Sequence, residues 1–145
     1  MPRVLGRAPL ARLSLPVALR AAILQHAQAT PAAEVCGLLG GRGDLVVSRY
    51  PIANVAAEPA DTFEMDAREQ LAAFRAMRER GEALAGIYHS HPAGPAEPSV
   101  MDLEWAAYPG VPYLIVSLAT PGVPVLAGFV FDGGAFRPLV LSTAD

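Results

Sequence analysis

The sequence predicts a single domain of the α/β (α+β) class, in which one mixed β-sheet is flanked by helices. Segments with helical spacing of apolar residues alternate along the chain with short apolar runs that are typical of buried strands. In addition, 52% of the 145 residues are hydrophobic, which argues against disorder and provides apolar surface for one core. Because no repeat, linker or low-complexity tract divides the chain, residues 1–145 are expected to form one domain.

A first helix is expected from Pro16, a favourable first-turn residue, to the residue before Pro31. Leu15, Leu19 and Ile23 have the spacing of one helical face. The arginines before this segment give it a faint likeness to a signal peptide, but Arg20 ends the apolar run. No apolar run approaches the length of a membrane span, so we expect a cytoplasmic protein with no membrane contact.

Two strands, a loop and a second helix are expected next. The strands are 35–41 and 45–52, which are apolar and bounded by turn residues. The loop at 54–62 contains mostly small residues. Asp66 can begin the helix as its N-terminal cap, and Gly81 can end it. The apolar stripe of this helix is expected to contain Leu71, Phe74 and Met77.

The second half of the chain predicts four strands and one short helix. In order, these are a strand at 84–91, a proline-rich loop at 92–98, a helix that Ser99 caps and that runs through Ala107, and strands at 113–118, 125–131 and 136–141. Pro121-Gly122 and Gly133-Gly134 supply the turns between the last three strands. The final pair of strands is expected to form a hairpin.

Composition excludes several functions. The single cysteine rules out an internal disulfide and any zinc site built from two or more thiolates. The net charge is −3 and the arginines form no basic cluster, so nucleic acid is not an expected partner. Because the chain has no lysine, it has neither a Schiff-base lysine nor a P-loop lysine.

Three side chains at the end of the strand 84–91 and just beyond it have the spacing of metal ligands. His89 and His91 lie two residues apart, so their side chains project on the same side of the strand. Asp102 is expected in the first turn of the next helix, and the rigid loop before it could fold it back. Two imidazole nitrogens and one carboxylate oxygen suit zinc with a fourth position open for water, as in catalytic sites.

The same residues also have structural interpretations. Ser99 and Asp102 form a pattern that is common at the start of a helix, and the capping and ligand roles can coexist. A general base would have to be another carboxylate, because a ligand cannot serve as one. Spacing alone does not choose among the carboxylates Glu34, Glu58, Asp61 and Glu97.

The run 89–92, His-Ser-His-Pro, followed by Ser99 and Asp102, matches in its spacing the signature of the JAMM (MPN-plus) zinc metallopeptidases. The segment 34–40, Glu-Val-Cys-Gly-Leu-Leu-Gly, resembles the part of that family that supplies the catalytic glutamate. The resemblance extends from the first helix to the final hairpin and looks like the minimal prokaryotic form. It implies the JAMM/MPN architecture, which is cytidine deaminase-like.

This resemblance implies a role for each candidate residue. His89, His91 and Asp102 would bind one Zn²⁺ ion. Glu34 would act as the general base toward zinc-activated water, and Ser99 would stabilise the oxyanion. The implied substrate is a ubiquitin-like modifier or sulfur-carrier protein with a Gly-Gly tail, hydrolysed at the amide bond after the C-terminal glycine.

Two other functions are compatible with the sequence. Metal-free relatives of the same fold serve as interaction scaffolds, and the same zinc site could hydrolyse small peptide or amino-acid conjugates. A zinc nucleobase deaminase is excluded, because it needs a Pro-Cys-x-x-Cys pair and Cys36 is the sole cysteine. The sequence does not set the substrate protein, the choice between isopeptide and linear cleavage, or the oligomeric state, and it leaves a homodimer open.

Overall fold

The computed structural model describes residues 12–100, Asp102 and residues 110–143. The elements in chain order are β1 (Arg12–Ser14), α1 (Val17–Ala29), β2 (Cys36–Arg42), β3 (Leu45–Ile52), α2 (Ala67–Glu79), β4 (Ala83–His91), β5 (Pro112–Ser117), β6 (Val125–Asp132) and β7 (Ala135–Ser142). In the described part of the chain, the seven strands belong to one mixed sheet and helices α1 and α2 pack on it, which confirms the predicted class.

The sheet closes on itself in the order β1-β3-β2-β4-β5-β6-β7. Strand β1 completes the barrel, because it pairs in parallel with β7 along its whole length and with β3 at Ser14 and Leu45. Strands β4 and β5 are also parallel, and the remaining pairs are antiparallel. The sequence does not predict this closure, since a three-residue strand is too short to show a period.

The caps and turns predicted from sequence are confirmed at both ends of α2 and in the last hairpin. The carboxylate of Asp66 accepts a hydrogen bond from the Glu69 amide at 3.0 Å. Gly81 ends the helix with a φ of +71°, a backbone conformation that favours glycine. Gly133 and Gly134, with φ values of +62° and +83°, form the tight turn between β6 and β7.

The predicted apolar stripe of α2 is wrong at one position. Leu71 is 64% exposed, whereas Ala73 and Met77 are buried against the sheet and Phe74 packs beside them. Ala73 and Met77 are one turn apart, so they define the buried face. Leu71 precedes Ala73 by two residues, which is more than half a helical turn, and therefore points away from the sheet.

Two hydrophobic clusters support the sheet. The first includes Leu13, Ile23 and Tyr88, and the second, which contains Met77 of α2, includes Ile87. Neighbouring residues of β4 thus serve opposite faces. His89 and His91 continue the face of Ile87 to the carboxyl end of the strand, where the apolar packing gives way to the candidate site. No helix among the described residues has both the length and the apolar character required to cross a bilayer.

Candidate active site

His89 and His91 end strand β4, the central strand of the site. They are 1% and 6% exposed, and strand alternation places both rings on one side, as predicted. Ser90 between them points to the opposite side, where its hydroxyl oxygen accepts a hydrogen bond from the Val35 amide at 2.9 Å. Strands β2 and β5 flank β4, so both histidines are fixed within the sheet.

Asp102 folds back onto the two histidines, as the sequence analysis expected. The Nε2 atoms of His89 and His91 lie 3.1 Å apart. Oδ1 of Asp102 is 3.0 Å from Nε2 of His89, and Oδ2 is 3.1 Å from Nε2 of His91. Nitrogen and oxygen ligands of tetrahedral zinc, bound at 2.0–2.2 Å, stand roughly 3.3 Å from one another. The donor atoms of the three side chains therefore lie at nearly the separations that zinc ligands have, and this group could hold a zinc ion.

The two histidine rings are held in different ways. Nδ1 of His91 lies 2.8 Å from the carbonyl oxygen of Pro95, so the ring donates its proton there and leaves Nε2 free to bind a metal. The loop carrying Pro95 is tied to β5, because the Ser117 hydroxyl donates to the Gly94 carbonyl at 2.7 Å. The His89 ring stacks on Phe63, with ring centres 4.7 Å apart.

Ser99 and Asp102 form a reciprocal cap at the start of the third helix. The Asp102 amide donates to Oγ of Ser99 at 3.1 Å, and the Ser99 amide donates to Oδ2 of Asp102 at 2.8 Å. The capping pattern and the convergence with the histidines thus coexist. Val100 and Asp102 are helical, and the rest of the helix predicted through Ala107 lies outside the described residues.

Glu34 lies just before β2, beside the histidines. The register that pairs Cys36 with His89 places Glu34 opposite His91. Glu34 is only 6% exposed, and its Oε1 has no hydrogen-bond partner among the residues that the structure describes. Burial raises its pKa to about 7, with Asp102 and Asp61 adding to the rise and His91 opposing it. The other candidate carboxylates are exposed: Glu58, Asp61 and Glu97.

The electrostatics of the three candidate ligands favour an anionic carboxylate. Burial opposes ionisation of Asp102, but hydrogen bonds from both histidine rings outweigh it and hold its pKa well below the usual range. Burial lowers the pKa of His89, which favours the neutral imidazole that metals require. Burial also opposes protonation of His91, but hydrogen bonds to Asp102 and Pro95 raise the pKa of that ring.

Two residues near the site were missed in the sequence analysis. Phe63 contacts the His89 ring, and Asn54 makes hydrogen bonds to the backbone around Phe63 and Glu34. An asparagine shortly after a strand, as Asn54 is after β3, is typical of a turn in which its side chain bonds the backbone. That signal could have identified Asn54, whereas the contact of Phe63 depends on the folded path of the loop.

Comparison with known proteins identifies the family. The model of prokaryotic homologs of the JAB domain matches residues 16–127. The chain is 43% identical over 112 residues to a desampylase from Haloferax volcanii, which covers 73% of this chain and 81% of that protein. It is 35% identical over 116 residues to the CysO-cysteine peptidase of Mycobacterium tuberculosis, which covers 79% of each chain.

A solved structure agrees with this assignment. The solution structure of a Desulfitobacterium hafniense protein is similar with a TM-score of 0.78 and 39% identity, covering 91% of this chain and 94% of the other. The segment that matches the family model contains Glu34, the two histidines, Ser99 and Asp102. The chain therefore belongs to the prokaryotic JAB (JAMM) domain family, as the spacing of its histidines and aspartate predicted.

Proposed function

We propose that this protein is a zinc-dependent peptidase or isopeptidase that hydrolyses the amide bond after the C-terminal glycine of a ubiquitin-like modifier or sulfur-carrier protein. The observation that carries the proposal is the convergence of two imidazole nitrogens and a carboxylate within 3.1 Å, beside the buried Glu34. The names of the relatives, a desampylase and a CysO-cysteine peptidase, support a conjugate of a small carrier protein as substrate.

His89, His91 and Asp102 would hold the zinc ion. When bound, Zn²⁺ would polarise the scissile carbonyl and lower the pKa of water to about 7. The donor set supports this choice, because two neutral imidazoles and one carboxylate are typical of catalytic rather than structural zinc sites. The Pro95 carbonyl assists by keeping the Nδ1 proton of His91 away from the metal side of the ring.

Glu34 would transfer the proton during hydrolysis. Its Oε1 accepts no hydrogen bond from the described residues and so is available to an attacking water. With its pKa near 7, the carboxylate can take a proton from water at neutral pH and return it to the departing amine nitrogen. A carboxylate with the ordinary pKa would be a weaker base for the first of these two transfers.

Ser99 would stabilise the negative charge that develops on the carbonyl oxygen. Its Oγ accepts a hydrogen bond from Asp102, which leaves the hydroxyl proton available for donation. Ser99 is exposed and bonded to the candidate ligand Asp102, so its hydroxyl would be accessible to a substrate in the site. Such a donor acts in the transition state, where the oxygen gains charge.

The loops 53–62 and 93–98 would form the walls around an extended Gly-Gly tail. The first loop holds the Glu34 backbone, since the Pro59 carbonyl accepts from the Glu34 amide at 2.7 Å. The second contacts His91 through Pro95. Glycine residues would suit this passage because they have no side chain to place between two walls.

The test begins with the zinc content of the purified protein and its activity on a ubiquitin-like carrier fused through its Gly-Gly tail to a peptide. A matched carrier with valine as its last residue controls for the tail. The proposal predicts about one zinc per chain, cleavage after the final glycine, and little cleavage of the valine carrier.

Three outcomes would contradict the proposal. If zinc-loaded protein cleaves neither linear nor isopeptide conjugates of the carrier, the protein is not a peptidase of the proposed kind. Tight binding of a carrier by protein that takes up no zinc would favour a scaffold. Equal cleavage of glycyl-amino acid conjugates with and without the carrier would favour a hydrolase of small conjugates.

A further inference from the structure

Asn54 is the sole asparagine of the chain, and its side-chain amide connects several parts of the site. Nδ2 donates to the carbonyl oxygens of Glu34 at 2.9 Å and Thr62 at 3.0 Å. Oδ1 accepts from the amides of Ala56 and Glu64, both at 3.0 Å. Two carbonyls on one side and two N–H groups on the other determine which end of the amide is the nitrogen.

The first consequence of this network concerns Phe63. Thr62 and Glu64 flank Phe63, so Asn54 holds the peptide groups on both sides of that ring. The Phe63 ring stacks on His89 at an interplanar angle of 28°. Among the described residues, Nδ1 of His89 has no hydrogen-bond partner. Phe63 therefore restrains the orientation of the His89 ring by packing, whereas the Pro95 carbonyl holds the His91 ring by a hydrogen bond.

The second consequence concerns Glu34. Its backbone is held on both sides, because the amide donates to Pro59 and the carbonyl accepts from Asn54. Its Oε1, in contrast, has no partner among the described residues. Because no described residue holds Oε1 by a hydrogen bond, the backbone of Glu34 contributes to the position of its carboxylate, and Asn54 bonds this backbone.

We propose that Asn54 is a positioning residue, which holds Glu34 and, through Phe63, the ring of His89 in the relative geometry that hydrolysis needs. The inference rests on the proposed function, and it concerns a side chain whose four hydrogen bonds all go to backbone atoms. A misplacement of about 1 Å in a catalytic group can reduce the rate about 100-fold, so small changes in this network should be measurable.

The test uses Asn54→Asp. A carboxylate can still accept from the amides of Ala56 and Glu64, but it cannot donate to the two carbonyls. We expect kcat on the carrier fusion to fall at least tenfold, with KM changed less than threefold and zinc content unchanged. Asp44→Asn, an exposed exchange between carboxylate and amide in the turn between β2 and β3, is the matched control and should retain the kcat of the parent.

A second measurement does not depend on activity. In the metal-free protein, the ring current of Phe63 should shift the NMR signals of the His89 ring. We expect Asn54→Asp to move these signals toward their positions in Phe63→Leu, a variant that removes the aromatic ring but leaves the Asn54 hydrogen bonds in place. If Asn54→Asp does not fold, Asn54→Ser, whose shorter side chain cannot span the four backbone partners, carries the test: its kcat must fall and its His89 signals must move toward those of Phe63→Leu.

The inference is overturned if folded Asn54→Asp has the kcat and the His89 signals of the parent. It is also overturned if only the melting temperature falls, since that is the result of a purely structural role. Failure of the proposed function is distinguishable, because the parent itself would then cleave no carrier conjugate. The NMR comparison would still decide whether Asn54 positions the ring.

Discussion

Two buried glutamates in this protein have similar exposure and opposite surroundings. Glu34 is 6% exposed and Glu82 is 7% exposed. Both oxygens of Glu82 are bonded, one to the Ser48 hydroxyl at 2.7 Å and the other to the Tyr50 hydroxyl at 2.8 Å. Oε1 of Glu34 has no partner in the described part of the chain. Burial alone therefore does not separate the two glutamates, whereas the free hydrogen-bonding capacity of the buried Glu34 supports the role proposed for it above.

The largest expected difference between the two glutamates is in activity. Glu34→Gln should lower kcat by about 10²–10⁴-fold, because an amide cannot accept the proton of the attacking water. Glu82→Gln should stay within about threefold of the parent, since its hydroxyl partners are remote from the reaction. Carrier cleavage measured at equal zinc content checks both. A Glu34→Gln protein with zinc and full activity would remove Glu34 from its role.

Ser99 extends the comparison from carboxylates to a hydroxyl group, which accepts a hydrogen bond from Asp102 and keeps its own proton available for donation. Ser99→Ala should lower kcat by about 10²–10³-fold through loss of an oxyanion donor. It should also reduce the free energy of unfolding by about 1 kcal/mol, because the helix loses its cap. Kinetics and urea unfolding of one zinc-loaded sample separate the two effects. Loss of stability with an unchanged kcat would leave Ser99 only its capping role.

A further test of the comparison removes one hydrogen-bond partner of Glu82. Ser48→Ala removes one of its two partners and gives Glu82 a free buried oxygen like that of Glu34. The free energy of unfolding should fall by about 1–3 kcal/mol, because a buried acceptor loses its hydrogen bond. The kcat should not change. Equilibrium unfolding in urea checks this prediction, and Ser48→Thr, which keeps the hydroxyl, is the control that should recover most of the loss.

The last prediction concerns a difference in the pH dependence of the stability of the metal-free protein. Burial raises the pKa of Glu34 from 4.5 to about 7, so between these values the folded state holds a proton that the unfolded state has released. The free energy of unfolding that Glu34 contributes is therefore lost as pH rises from about 4.5 to 7. Glu34→Gln should lack this slope, and Glu82→Gln should keep it. Urea unfolding at pH 5, 6 and 7 measures it, and equal slopes in both variants would contradict the prediction.

Sequence reasoning located the parts of the site that depend on local spacing. His89 and His91 lie on one strand, so alternation alone placed their rings together. The cap between Ser99 and Asp102 follows from a separation of three residues. The helices and the main strands followed for the same reason, because apolar periodicity and turn residues are local signals.

The features that sequence reasoning did not locate depend on contacts between distant segments. The burial of Glu34 and its position opposite His91 come from the pairing of β2 with β4, and spacing did not rank Glu34 above the exposed carboxylates. The stacking of Phe63 on His89 depends on the path of a long loop. Leu71 was assigned to the wrong face because α2 packs on the sheet through the small residue Ala73. A pattern of large apolar residues gives alanine too little weight to identify it as part of the buried face.

The short strand β1 has a consequence for the order in which the chain folds. Its partners on β7 are Val140, Leu141 and Ser142, so the contact joins residues separated by almost the whole described chain. During synthesis, β1 emerges from the ribosome long before β7. The pairing of β1 with β7, here called the β1–β7 seam, closes the barrel and cannot form until β7 has been synthesised. Loop closure over such a distance is slow and entropically costly. We therefore expect hydrogen exchange to show the amides at the β1–β7 seam acquiring protection last during refolding.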